Sequence, residues 1–428
     1  MSRSGAKVSS TVRRLRRLET AARRLNTPPV NSPLEAYTSG LVFLVPPGYN
    51  TRFTAMRGIN PASKAACIYR FMELPFLKPF VSQTSRKRDE FVAIDLGGRA
   101  TKAVHVRRKG ASMTLLRYAI VDAPLYEKTL TVEALTAHLK AVSQALEAKT
   151  RFASLSVGAN DCLVRHAELP QIPVEDMRLI LKNNSKNYLQ QDLNNHVFDC
   201  WQISSNRLPG ASPQVGLPQK NRVIVGGARS PMINDIRNAA RQAGLTPDQI
   251  VPNLISTVNA FELAMPEVFS KTAIALADIG FKSSFICLLN QGELVATRVV
   301  SIGGDRLTQG LADAMSISYA EAEGIKIGMP GEVHSNLEAG LTSLGRELRA
   351  SIDFFEHQQD RPVSHVYVSG GSARSEYIVK SLEAELMVPC SSWNPTATLE
   401  LGLPPQQVAE LEHIAPQLTV ALGMTTTA

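Results

Sequence analysis

The sequence predicts a bilobed α/β protein that carries a small α+β insert. Three observations predict it. A unit of apolar strand, aspartate, glycine and second strand occurs twice, as "FVAIDLGGRATKAV" (91–104) and "IALADIGFKSSFICLL" (274–289). Strand and helix patterns alternate through most of the chain, as two α/β layers require. Between the two units, residues 154–240 change to short strands and two helices, a stretch of small-domain size. A chain of 428 residues also exceeds one ordinary core.

The elements follow in order. "FVAID", "TKAVHV" and "SMTLLRYAIV" read as three opening strands. "TVEALTAHLKAVSQALEAKT" places Val132, Leu135, Leu139, Val142 and Leu146 on one helical stripe, and "ASLSVG" is a buried strand. The insert reads as strand "CLVRHAELP", helix "VEDMRLILKNNSKNYLQQDL", strand "HVFDCWQIS", a Pro/Gly loop at 207–219, strand "NRVIVGGA" and helix "SPMINDIRNAARQAGL". "GLTPDQIVPNLISTVNAFELA" reads as a helical connector. The second unit then opens three strands, with a turn over Asn290–Glu293. Helix "GDRLTQGLADAMS", the stretch "YAEAEGIKIG", a long helix "NLEAGLTSLGRELRASIDFFEHQ", strand "HVYVSGG" and helix "EYIVKSLEAELM" follow.

Composition excludes several classes. No apolar run approaches the ~20 residues that span a bilayer. Cys67, Cys162, Cys200, Cys287 and Cys390 lie far apart without paired spacing, which argues against zinc and disulfides and for a reducing compartment. The chain has 46 Lys/Arg against 38 Asp/Glu, but twelve and two of these fall in residues 1–71, so the remainder holds 34 against 36. The folded part is not basic, which speaks against nucleic acid. Residues 1–71 begin with an Arg-rich amphipathic stretch and continue without period, so disorder is expected there. A short leader over 72–90 suggests a chain start at Met72.

One strand–Asp–Gly hairpin is explained by a tight turn. Two of them, with Asp95 and Asp278 lying 183 residues apart, are not. Backbone amides beside glycines form anion-binding nests, and opposed carboxylates repel unless a cation sits between them. Phosphates with a magnesium ion meet both demands.

In these residues the chain resembles the actin/Hsp70/sugar-kinase ATPases, and within them the type IV pilus assembly protein PilM family, relatives of FtsA and MreB. "AIDLGGRATK" is similar to the phosphate-1 loop and "ADIGFKSSF" to phosphate-2. "SIGGDRLTQGLADAM" is similar to the glycine pair and following helix, "AEAEGIK" to an Ala-Glu-x-x-Lys element, "VYVSGGSARSEYIVKSLEAEL" to the adenosine motif, and "APQLTVALGM" to the closing helix. The likeness runs from about residue 72 to the end. It implies duplicated RNase H-like lobes, with 91–153, 241–271 and 395–428 in the first lobe, 272–394 in the second and 154–240 inserted. It implies ATP and Mg2+ as ligands, with Asp95 and Asp278 holding the metal. Gly97, Gly98 and Gly280 would cradle phosphates, joined by Gly304 and by Lys102, Ser283 and Ser284 as donors. Glu323 and Lys326 would reach the ribose and base edge. Gly370 and Gly371 would let the backbone approach adenosine, and Arg374 would stack on the base.

The resemblance further implies a cytoplasmic scaffold of a pilus or secretion assembly complex, peripheral to the inner membrane and capable of self-association. Its partner would be the N-terminal peptide of a PilN-like inner-membrane protein, received on the edge strands "CLVRHAELP" and "HVFDCWQIS". The family's loop usually carries serines where this chain has Gly98, Arg99 and Ala100, so hydrolysis is expected to be weak at most. Two other readings stand beside this one. A small-molecule kinase needs a catalytic carboxylate by an acceptor pocket, but Asp161, Glu168, Glu175 and Asp176 sit at turns and a helix start. An FtsA-like cell-division protein ends in a basic membrane helix, whereas "QLTVALGMTTTA" carries no charge.

Overall fold

The computed structural model describes residues 43–44, 89–110, 112–124, 130–203, 220–328 and 333–426. The suggested start at Met72 lies outside them. The strands are β1 (Phe43–Leu44), β2 (Glu90–Asp95), β3 (Ala100–Lys109), β4 (Ser112–Asp122), β5 (Phe152–Val157), β6 (Cys162–Pro170), β7 (His196–Gln202), β8 (Lys220–Arg229), β9 (Thr246–Pro252), β10 (Ala273–Ile279), β11 (Ser284–Asn290), β12 (Glu293–Val300), β13 (Val366–Ser369), β14 (Cys390–Ser392) and β15 (Glu400–Leu401).

They form three sheets, ordered β1-β9-β5-β2-β3-β4-β15, β12-β11-β10-β13-β14 and β6-β8-β7. With the outer β1 and β15 set aside, the two larger sheets share one topology. β2 pairs antiparallel with β3 and parallel with β5, as β10 does with β11 and β13. The repeat seen in two short sequence motifs is therefore a repeat of whole lobes.

Alternation along the strands decides what each face covers. Val92 and Ile94 of β2 join Leu135, Leu139, Val142 and Leu146 of the helix Val132–Leu146 in one core. Phe91 and Ala93 face the opposite way, into a core shared with Leu276, Phe285 and Cys287 of the second sheet. Helix Asn253–Ala264 lies in that shared core with no exposed residue, and Leu254, Ile255, Val258, Ala260, Phe261 and Ala264 are its buried apolar side chains. The outer face of the second sheet is covered from helices Gly304–Met315, His334–Gln359 and Glu376–Leu386. Thr131 caps the helix Val132–Leu146, its hydroxyl accepting from the Ala134 amide at 3.2 Å.

Three sequence expectations are corrected. Residues 246–252 are strand β9, not the start of a helical connector. Pro247 and Pro252 disguised it, since proline argues against a strand except near a sheet edge, where β9 lies. The insert is narrower than 154–240: β5 belongs to the first sheet, and helix Ser230–Gln242 packs on helix Val132–Leu146, leaving 158–229 as the inserted part. Residues 1–71, read as unstructured, contain the paired strand β1. Strands β14 and β15 and helix Pro405–Ile414 were not foreseen.

Within the insert, Gly227 leaves room for Phe198 and Leu163, whose carbons would lie 2.9 and 3.1 Å from a Cβ there. Those side chains fill the insert's own core, whereas Trp201 packs toward the lobes. The second lobe engages the insert: the Thr297 hydroxyl of β12 donates to the Val164 carbonyl of β6 at 3.2 Å, and Arg222 of β8 pairs with Glu293 at 2.7 Å. Burial pushes the Cys162, Cys200 and Cys390 thiols up to about 12, so they are inert. No helix among the described residues is long and apolar enough to cross a membrane.

Candidate functional site

Asp95 is the last residue of β2 and Asp278 the last but one of β10, the equivalent strands of the two lobes. Both are buried. Each receives a serine hydroxyl from the neighbouring parallel strand: Ser156 of β5 donates to Asp95 Oδ1 at 2.8 Å, and Ser369 of β13 donates to Asp278 Oδ2 at 2.8 Å. The carboxylates are thus held by the same device in both lobes. The lysine breaks the symmetry. Lys102 faces Asp95 across the β2–β3 ladder, with its Nζ 3.4 Å from Oδ2, while the matching partner of Asp278 is Phe285.

Burial pushes the Asp278 carboxyl up to about 6, opposed by the Ser369 hydrogen bond and the Lys102 charge and reinforced by the charge of Asp95. The two carboxylates therefore feel each other, and the Lys102 ammonium beside Asp95 acts on both. Desolvation is the largest cause, because the carboxyl is buried away from water.

The turns after the aspartates are built on glycine because nothing larger fits. A Cβ on Gly97 would stand 2.5 Å from the Ala100 carbonyl oxygen, and one on Gly280 would stand 2.7 Å from that of Ser283. The turns meet across the cleft: a Cβ on Gly98 would sit 3.6 Å from Phe281 and 3.7 Å from Lys282, and the Arg99 guanidinium lies 5.9 Å from the Phe281 ring centre. Arg99 thus reaches from the first turn to the second.

The second turn continues into the remaining predicted residues. Amides of Gly304 and Asp305 donate to the carbonyls of Gly280 and Phe281, both at 2.9 Å. Gly370, at φ +91°, lies so close that a Cβ would be 2.6 Å from the Ile279 carbonyl oxygen. Ser372 Oγ would be 3.2 Å from a Cβ on Gly304, so the 370–372 loop borders the start of helix Gly304–Met315. Gly371 is open, with nothing within 4 Å of the same position. Arg374 ends the short 3-10 turn Gly371–Arg374 with its side chain exposed.

Two predicted roles are corrected. Ser284 is fully buried and donates to the Ile302 carbonyl at 2.6 Å, so only the half-exposed Ser283 can reach the cleft. Consecutive residues at a strand start point to opposite faces, which the pair "SS" cannot reveal. Lys326 is buried and commits its three hydrogens to Thr308 Oγ1 at 2.6 Å, Glu323 Oε2 at 2.7 Å and the Gly304 carbonyl at 3.3 Å. It ties helix Tyr319–Gly328 to the Gly304 turn and has no hydrogen left for a ligand. Glu323 stays partly exposed. Ser156, Ser369 and Thr308 were missed.

A family model described as type IV pilus assembly protein PilM matches residues 93–427. No curated protein sequence matches the chain. The solved structure of a PilM–PilN type IV pilus biogenesis complex is similar with TM-score 0.68 at 21% identity, covering 79% of this chain and 99% of that one. Ethanolamine utilization protein EutJ from Carboxydothermus hydrogenoformans gives TM-score 0.48 at 15% identity over 80% and 91% of the two chains. MreB5 of Spiroplasma citri bound to AMPPNP gives 0.45 at 10% over 79% and 96%.

Proposed function

The chain belongs to the type IV pilus assembly protein PilM family, and from that premise we propose that it is an actin-like scaffold which binds ATP with magnesium in the cleft between its lobes. The observation that carries the reading is the pair of serine-held carboxylates on duplicated strands, sharing one lysine. Two carboxylates and one ammonium leave one negative charge, and the raised Asp278 pKa marks the place where a cation is worth most. Magnesium suits a site that offers few carboxylates and leaves room for water and phosphate oxygens. Asp95 and Asp278 would hold it, and the amides of the Gly97–Gly98 and Gly280 turns would face the phosphates. Bound magnesium would neutralise phosphate charge. Gly304, Glu323, Gly370 and Gly371 would border the nucleoside, with Arg374 at the rim.

Hydrolysis would be weak at most. The turn at 98–100 supplies no hydroxyl, and Arg99 rests on Phe281. Output would come instead through surfaces. A PilN-like inner-membrane protein would supply an N-terminal tail, holding this chain at the cytoplasmic face of the membrane. Since β6 is engaged by β12, the β7 side of the insert is the edge left for that tail.

Lys102→Ala is expected to weaken ATP binding in magnesium by about 10- to 150-fold, the ~1.5–3 kcal/mol of a charge-assisted contact. Titration calorimetry on wild type and variant measures it. Equal affinities would remove the lysine from the site.

A further inference from the structure

We infer that the outer edge of β9, where it faces β7, is a docking slot for an extended segment, and that residues 43–44 of the same chain occupy it in cis. The pairing is antiparallel, Phe43 opposite Ile250 and Leu44 opposite Gln249. β9 is paired on its other side with β5, so β1 completes the edge. Phe43–Leu44 also lies within 8 Å, Cα to Cα, of β7 on the insert. The added strand therefore sits in a slot with a sheet edge on one side and the insert on the other.

The sequence on both partners limits this pairing. Pro247 and Pro252 offer no N–H, so an added strand finds donors only between them, over Asp248–Val251. The sequence around Phe43 and Leu44, "GLVFLV", is apolar and of high strand propensity, and the next two residues in the sequence are Pro46 and Pro47. An unpaired edge invites a further strand, and natural proteins cover such edges. A segment tethered to its own site is presented at up to about millimolar effective concentration, so even weak pairing competes with a partner in solution.

The consequence rests on the proposed docking of a partner tail beside β7. An extended tail entering the same slot must displace Phe43–Leu44, which makes the leader a competitor that sets the threshold for capture. The occupancy itself does not depend on that reading.

Hydrogen exchange on the full chain tests it, comparing wild type with F43P/L44P, which removes both amides of β1. The variant is expected to exchange those amides of 248–251 that face β1 at least tenfold faster, with those facing β5 unchanged, at an unchanged melting temperature. A labelled synthetic peptide of residues 40–49 is expected to bind the variant at least tenfold more tightly than wild type. Equal exchange and equal peptide affinity would overturn the inference, whatever a partner tail does. If the 40–49 peptide prefers the variant while a PilN-type tail peptide binds neither protein, cis occupancy stands and the partner-docking reading falls.

Discussion

Asp278→Ala is expected to lower ATP affinity in magnesium by at least about 100-fold, about 3 kcal/mol. The carboxylate is buried at the end of β10, and burial is the chief reason it titrates at about 6. Without a cation that buried charge is a cost. With one it becomes the main attraction. The sign in pH follows. The folded value stands above the ordinary 3.8, so the folded protein holds more protons than the unfolded chain between the two values. Stability without ligand therefore falls as pH rises from about 4 to about 6, and the penalty is complete above that. Asp278→Asn removes it. That variant should melt higher than wild type at pH 7.5 without nucleotide, yet bind poorly. Wild-type affinity should itself fall as pH drops below about 6, because the metal must then displace a proton. Calorimetry and thermal melts read both effects. Equal affinity in wild type and Asp278→Ala would end the metal assignment.

Gly423→Ala is expected to cost more than about 3 kcal/mol, lowering the melting temperature by about 6 °C or more. A Cβ at Gly423 would lie 1.7 Å from the Ser256 carbonyl oxygen and 2.5 Å from its carbon. Both atoms are backbone in a fully buried helix turn, so no side chain can swing aside. The segment Thr419–Gly423 and helix Asn253–Ala264 would have to separate, opening the core where Leu418, Leu422 and Met424 meet Leu254 and Phe261. The cleft would feel it too, since the Gly370 amide donates to the Pro416 carbonyl at 3.0 Å. Gly371→Ala is the control: nothing lies within 4 Å of its Cβ position, and it should melt as wild type does. A Gly423→Ala protein that also melts as wild type would show the close approach to be relaxed in solution.

Much of this was legible in the sequence, for a physical reason. Asp95, Gly97, Asp278 and Gly280 stand in short motifs whose chemistry is local, and duplication separated them from ordinary turns. The serines that hold the aspartates were not legible. Ser156 in "ASLSVG" and Ser369 in "HVYVSGG" are lone hydroxyls on apolar strands, and only sheet pairing sets each beside its aspartate. The spacing of Glu323 and Lys326 was readable, but not Thr308, eighteen residues before Lys326, which takes up the ammonium. Strand β9 was hidden by two prolines and by the helix that follows it without a break. The insert's limits were misjudged because helix Ser230–Gln242 follows β8 directly while packing elsewhere.

A crystal structure of the full chain grown with ATP and magnesium tests the central claim most directly, because that claim is a position. The account predicts the triphosphate between the Gly97–Gly98 and Gly280 turns. It places a metal within reach of Asp95 and Asp278, and the nucleoside against Gly304 and Gly370. Nucleotide bound elsewhere, or a cleft without nucleotide at millimolar ATP and magnesium, would contradict it.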